Sequence, residues 1–314
     1  AQAARDCATA EGNLDLSKNG YAKIFELGIN SPEVLFAVEF KSSVIDHAYD
    51  AYVRPSGDTK ELGKQVYSGF VPTSELVDSY EMAGDGGNFS WEKHGKDPYA
   101  NREPRFYATI LYNGADWMGR KIESFVGGKD GYKAYENAGA AGTTVTGYYL
   151  RKYLIDGDKT WVTSGSGQDW IVLRYAEVLL NKAEALAMEN WNKNSAEALQ
   201  ALNDVRARVG LPARATADKE TFLEYVRHER KVELAGEGFR YWDLRRWRLA
   251  EKVIDGQNVH GVKISKQSDG SFTYEQVDAD GGHKRIFYDR YYRFAIPLSE
   301  RSNNSLCTNN DGWI

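Results

Sequence analysis

The hydrophobic positions change period twice along the chain. Leu173, Ala176, Leu180, Ala183 and Ala187 recur at 3-4-3-4 spacing, and Ala198, Leu202, Val205 and Val209 at 4-3-4 spacing. Each set lines one face of a helix. The pattern predicts two antiparallel amphipathic helices separated at residues 190–194. Asn194 is the expected N-cap, with Glu197 three residues on, and Gly210 followed by Pro212 stops the second helix. Small residues at the seam make this a helical hairpin of the tetratricopeptide kind. A third helix is predicted from about Asp218 to Leu234, with a break at Gly236 and Gly238, and a fourth over Tyr241 to Lys252.

Upstream the period shortens to strands and turns. Glu33 to Phe40, opened by Ser31-Pro32, reads as a strand, as does Phe106 to Tyr112, closed by Asn113-Gly114. Thr73 to Tyr80 reads as a short helix behind Pro72. Long irregular stretches lie between, at 83–99 and 127–147, and irregular segments of that length are usually functional or disordered. Beyond residue 253 the turn signals return at Asp255-Gly256, Ser268-Asp269-Gly270 and Gly281-Gly282, before an Asn-rich tail. The fold class is therefore mostly α, helical hairpins with loop-rich and short β insertions. A ligand-facing loop and strand region spans 11–168, a helical-repeat region 169–252 and a tail 253–314. The Ala-rich first ten residues, closing at Gly12 and Asn13, read as the end of a helix, so the chain is expected to begin inside a domain.

Composition narrows the function. The 314 residues allow one large domain or two ordinary ones. Eight Trp and twenty Tyr against three Met, many in polar Gly-rich stretches, suit a flat, polar, stacking ligand. A net charge of −5 argues against nucleic acid as the main partner, which needs a basic face. No run approaches the ~18 apolar residues of a membrane-spanning helix. Cys7 and Cys307 lie near opposite ends; they are read as structural or free, and whether they pair is open. His47, His94, His228, His260 and His283 are scattered without metal-ligand spacing. Gly165-Ser166-Gly167 lacks the third glycine of a dinucleotide loop, and Asp278-Ala279-Asp280-Gly281 lacks the later ligands of a calcium loop. No cofactor or metal is expected.

The densest chemical signal is 228–247, HERKVELAGEGFRYWDLRRW. Within one helical turn Arg230 faces Glu233, Arg240 faces Asp243 and Asp243 faces Arg246. Trp242, Leu244 and Trp247 require burial, which carries these charges into a setting where they must be paired. Glu229 and Glu233 are also the nearest thing to a catalytic carboxylate pair. The structural reading is preferred, because every acid has an arginine within reach.

The same run resembles the signature helix of the SusD/RagB family. LRYAEVLLNKAEAL at 173–186 and ALQALNDVRARVGLP at 198–212 are similar to that family's paired helices. YRFAIPLSE at 292–300 resembles its strand-and-proline segment, and NNDGW at 309–313 resembles its usual ending, with Asp311 where Pro is expected. PTSELVDSYEM at 72–82 and NREPRFYATILYNG at 101–114 also resemble family segments, Glu103 standing where Asp is commoner. The likeness runs from residue 21 to 313; the family's N-terminal part, with its anchoring cysteine, has no counterpart here, and nothing apolar precedes Cys7.

The resemblance implies a cell-surface protein of the outer membrane. It would bind oligosaccharides without catalysis and hand them to a TonB-dependent outer-membrane transporter, and its only membrane association would be a lipid anchor absent from this chain. A peptide-capturing branch is the first alternative, a glycoside hydrolase and a generic helical-repeat scaffold the others. The family's sugar-contacting loops vary, so the candidate residues come from chemistry. Sugar C–H faces stack on aromatic rings, and hydroxyls seek amides, carboxylates and guanidinium forks. These criteria select Trp91 with Asn88 and Lys93, Trp117 with Asp116 and Arg120, and the loop residues Tyr132 and Tyr135.

Overall fold

A computed structural model describes residues 20–137 and 143–313. Helical backbone runs over Tyr175–Arg208 with one interruption, Asn190 at φ −163° and ψ 96°. The two arms pack back on each other there: Lys182 meets Glu197 at 3.1 Å, and Asn194 Nδ2 donates to the Leu186 carbonyl at 3.2 Å. The N-cap of the second arm is Asn190, whose Oδ1 accepts from Lys193 N at 3.2 Å. Asn194, the expected cap, lies one turn inside the helix and is buried in the hairpin. Asn190→Ala is expected to destabilise the fold by about 1 kcal/mol, read as a lower urea midpoint, with Asn190→Asp near wild type.

The predicted seam is the core of this layer. Leu180, Ala183, Ala187, Ala198, Leu202 and Val205 are buried together against Phe222, Leu223 and Val226 of the helix Lys219–Glu233. Asp218 caps that helix, accepting from Thr221 N at 2.7 Å. Gly236 and Gly238, both at positive φ, break it from Phe239–Arg246, and Ala250–Ile254 follows. Leu173 departs from the expected helix. It lies in the strand Trp170–Arg174, which pairs antiparallel with Val34–Val38, Leu173 opposite Phe36.

Two other segments differ from expectation. Residues 106–109 belong to the helix Pro104–Thr109, and only Ile110–Leu111 is strand, paired with Tyr149–Leu150. Pro104 at the first helical position presets helical φ, and Phe106 and Ile110, four apart, are both sealed in the core. In the tail, Leu298–Asn303 is helical behind Pro297, after a hairpin of His260–Lys266 with Phe272–Asp278. Cys307 is half-buried and free, and Cys7 and the N-terminal helix end lie outside the described residues. Among the described residues no helix is long and apolar enough to cross a membrane.

A buried ion network ties the layers together. Glu81 pairs with Arg206 and Arg214, and Arg206 with Glu229. Glu229 and Glu233 both reach Arg105, which also holds Glu103. Glu233 meets Arg174 and Arg208, both of which reach Glu33, and Arg174 and Lys152 share Glu237. The chain of contacts runs unbroken through six carboxylates and six cations, all but Arg214 with side chains at most 2% exposed. Such balance is what makes burial of so much charge tolerable. Glu229 and Glu233 are thus structural, as the arginine-rich context predicts, but their partners come from distant segments. Arg230 bonds Asp243 at 2.8 Å and not Glu233, while the local Asp243–Arg246 pair forms as expected. Trp242, expected inside, is 55% exposed. Arg246 pairs with Asp243 and Glu184, and Arg245 bonds the Tyr291 and Tyr292 carbonyls, whereas Arg240 feels the charge of Asp243 without the expected ion-pair contact.

Candidate functional site

A cleft of about 390 Å³ opens between the segment 56–65, which holds the short helix Asp58–Leu62, and the loop 127–133, with Thr143 at its edge. Its walls carry Ser56, Thr59, Gln65 and Tyr132 together with three ammonium groups, Lys60, Lys129 and Lys133. The two segments are locked from below. Arg120 Nη2 bonds Asp58 Oδ1 at 2.7 Å and Asp130 Oδ1 at 2.8 Å, while Asp130 also accepts Gly57 N at 2.9 Å and Glu123 N at 2.9 Å. Tyr149 OH donates to the Asp130 carbonyl at 2.9 Å. A Cβ at Gly57 would collide with Asp130 Oδ1, so glycine is required where the two segments meet. Burial opposes the Arg120 charge, but hydrogen bonds and charge from Asp130 and Asp58 outweigh it and raise its pKa. Burial, with Glu136 and Glu275 nearby, likewise raises Tyr132, leaving its phenol protonated and able to donate.

The candidate residues divide over this frame. Tyr132 lines the cleft. Tyr135, half exposed, packs edge-on to His283 at 5.8 Å. Arg120 is the clamp beneath the cleft, not a ligand-facing group, and Asp116 is an exposed partner of Lys121 at 2.7 Å. Trp117 is 1% exposed, its Nε1 donating to Asp58 Oδ2 at 3.0 Å and its ring 5.3 Å from the Arg54 guanidinium. It is a core ring with no face left for a ligand. Trp91 is half-buried, packed edge-on to Phe89 and tied by Nε1 to Asp78 Oδ2 at 2.9 Å, with Asn88 and Lys93 exposed beside it. The structure therefore does not gather the two tryptophans into one site. The sequence does not single out Lys60, Lys129 and Lys133, although Lys129 and Lys133 stand among glycines in GGKDGYK at 127–133; Lys60, in DTKEL, carries no such signal.

A second concave surface is of a different character. Tyr49, Val53, Phe70 and Trp170 line a continuous groove, flanked by exposed Tyr52 and by Val38 and Phe40. Tyr52 stacks on Tyr67 with ring centres 5.1 Å apart. The Tyr49 hydroxyl is turned away to the Lys152 carbonyl, so the groove offers a ligand's hydroxyls few partners. Carbon-lined and aromatic, it has the composition of a protein contact.

Known proteins place these features. SusD-like protein P38 of Formosa agariphila is 32% identical over 133 residues, covering 39% of this chain and 25% of its own. A SusD-like protein of Bacteroides fragilis superposes with a TM-score of 0.80 at 25% identity, over 99% of this chain and 62% of its own. A SusD-like carbohydrate-binding protein from the same species gives 0.76 at 25% identity, over 97% and 61%. The chain thus spans about three fifths of the length of those two structures. A family model described as the SusD family matches residues 32–313, which takes in the hairpin, the charged signature helix, the cleft and the Gly-Trp ending. With fold and motifs agreeing over that length, the chain belongs to the SusD family.

Proposed function

We propose that the chain binds an oligosaccharide in the cleft between residues 56–65 and 127–133, without cleaving it, for delivery to a TonB-dependent transporter in the outer membrane. The observation that carries the reading is the cleft lining: hydroxyls, an amide, ammonium groups and one phenol converge on a concave surface of about 390 Å³. Family membership and the carbohydrate-binding description of one relative support a sugar as the ligand. Catalysis finds no support in the carboxylate pair the sequence offers, since Glu229 and Glu233 are sealed from solvent and held by arginines. The aromatic groove is the face suited to a protein partner, and the transporter is the partner this reading assigns to the protein. The surface location follows from the same family reading.

Calorimetric titration against plant, host and storage oligosaccharides tests it. Tyr132→Ala or Gln65→Ala is expected to weaken binding by about 1 kcal/mol or more, with the oligosaccharide recovered at unchanged length. Binding that neither substitution alters, on folded protein, would move the site elsewhere, and no heat with any glycan would favour peptide capture.

A further inference from the structure

We propose that the cleft is built for an acidic glycan, one carrying carboxylates or sulfates. The inference rests on the reading of this cleft as the glycan site and adds the ligand's charge. On a chain of net charge −5, the cleft is locally the reverse: three of its lining residues are lysines and none is acidic. The carboxylates closest to it are already engaged. Asp58 and Asp130 lie beneath the floor, fully buried, holding Arg120 between them. Glu61 is the partner of Lys129, and Glu123 accepts the Lys129 backbone N–H at 3.1 Å. Glu136 and Glu275, both exposed and near Tyr132, work against the positive cleft, Glu275 being already paired with Lys263.

The glycine-rich loop does not supply the positive potential through its backbone. Gly128 N, Asp130 N, Gly131 N and Tyr132 N donate to Phe125 O, Glu123 O, Gly128 O and Ser124 O, carbonyls of the loop and of the three residues 123–125 that lead into it. Attraction for an anion must come from side chains. Lys60 and Lys133, exposed and in no ion pair among the described residues, are the groups that can give it, and Ser56, Thr59 and Gln65 add neutral hydrogen bonds beside them. A neutral sugar would leave the two ammonium groups facing it without compensation, whereas a uronate or sulfate ester meets one or both. An ammonium is a compact point charge, indifferent to the geometry of its anion, so the same pair accepts either acidic group.

Titration with three hexasaccharides separates the outcomes: hexagalacturonate for carboxylate, a κ-carrageenan hexasaccharide for sulfate, and laminarihexaose as the neutral control. At least one acidic probe is expected to bind about tenfold more tightly than laminarihexaose in 50 mM NaCl, the advantage shrinking severalfold at 500 mM as the charges are screened. The double substitution Lys60→Gln with Lys133→Gln should remove that advantage; both side chains are exposed, and an unchanged urea midpoint verifies the fold. Which acidic probe wins identifies the source of the charge. Equal binding of the neutral and acidic probes at both salt levels, weakened by Tyr132→Ala, overturns the inference while the glycan site stands. An acidic preference that survives the double substitution also overturns it. If no probe binds, or binding is untouched by every cleft substitution, the site itself is wrong and the inference falls with it.

Discussion

Glu233→Gln is expected to lower the unfolding free energy by about 3–5 kcal/mol. The side chain is fully buried and meets three guanidinium groups, on Arg105, Arg174 and Arg208. Gln keeps the volume and loses the charge. Arg105 retains Glu103 and Glu229, Arg174 retains Glu33 and Glu237, and Arg208 retains only Glu33. The network is then one positive charge in excess, with no water to screen it. Glu224→Gln is the control. Its side chain is 69% exposed and pairs with Arg227 on the same helix, and its loss should change stability by less than about 0.5 kcal/mol. Equilibrium urea unfolding of both variants checks the contrast, and equal effects would mean that the network does not stabilise the fold.

The same residue fixes how the fold responds to acid. Burial alone would raise Glu233, but Arg208, Arg174 and Arg105 overcome it and hold the carboxyl well below its ordinary value of 4.5. Glu237 is lowered in the same way, burial being outweighed by Arg174 and Lys152. A carboxyl depressed in the folded state binds fewer protons than in the unfolded chain. Its contribution is therefore whole above the unfolded value and is lost as pH falls toward the folded one. Glu103 runs the other way, raised by burial despite Arg105, and offsets part of the effect. Stability should fall as pH drops from about 5, and more gently in Glu233→Gln, which has one fewer depressed group.

Periodicity made the helical layer legible because a seam of Ala and Leu at 3-4 spacing has one stable arrangement, two helices back to back. It failed at Leu173 for an instructive reason. One apolar residue in register with a helical face can equally sit on a strand, and pairing with Phe36, far away in sequence, decided for the strand. Residues 106–112 failed on the opposite side: aromatic and β-branched residues favour strands, but Pro104 starts a helical turn that burial of Phe106 completes. The charged run at 228–247 announced that its charges would be paired and named local partners, of which only Asp243–Arg246 forms, since Arg105, Arg174 and Arg208 reach Glu233 from other segments. The cleft was half legible. The loop holding Tyr132 stood out through its glycines, whereas Ser56, Thr59 and Lys60 look like ordinary turn and helix residues until Asp130 and Arg120 bring the two segments together.

Trp117 is where the chemistry of the residue type misled, and its substitution separates a core ring from a stacking platform. Trp117→Ala should cost about 3–5 kcal/mol, because a fully buried indole leaves a cavity among Val53, Leu111, Ile122 and Leu154. Trp117→Phe fills most of that space but removes the Nε1 donor, leaving Asp58 held by Arg54 and Arg120 alone. That variant should lose about 1–3 kcal/mol and remain folded at room temperature. Its affinity for whichever glycan the wild type binds should stay within about threefold, since the ring reaches the cleft only through the Asp58–Arg120–Asp130 clamp. Tyr132→Ala should weaken binding by about 1 kcal/mol or more and, because the residue is only 8% exposed, should also lower stability by about 2 kcal/mol or more. If Trp117→Phe instead abolished binding with its unfolding midpoint unmoved, the indole would have to face the ligand directly, and the clamp would not be what shapes the cleft.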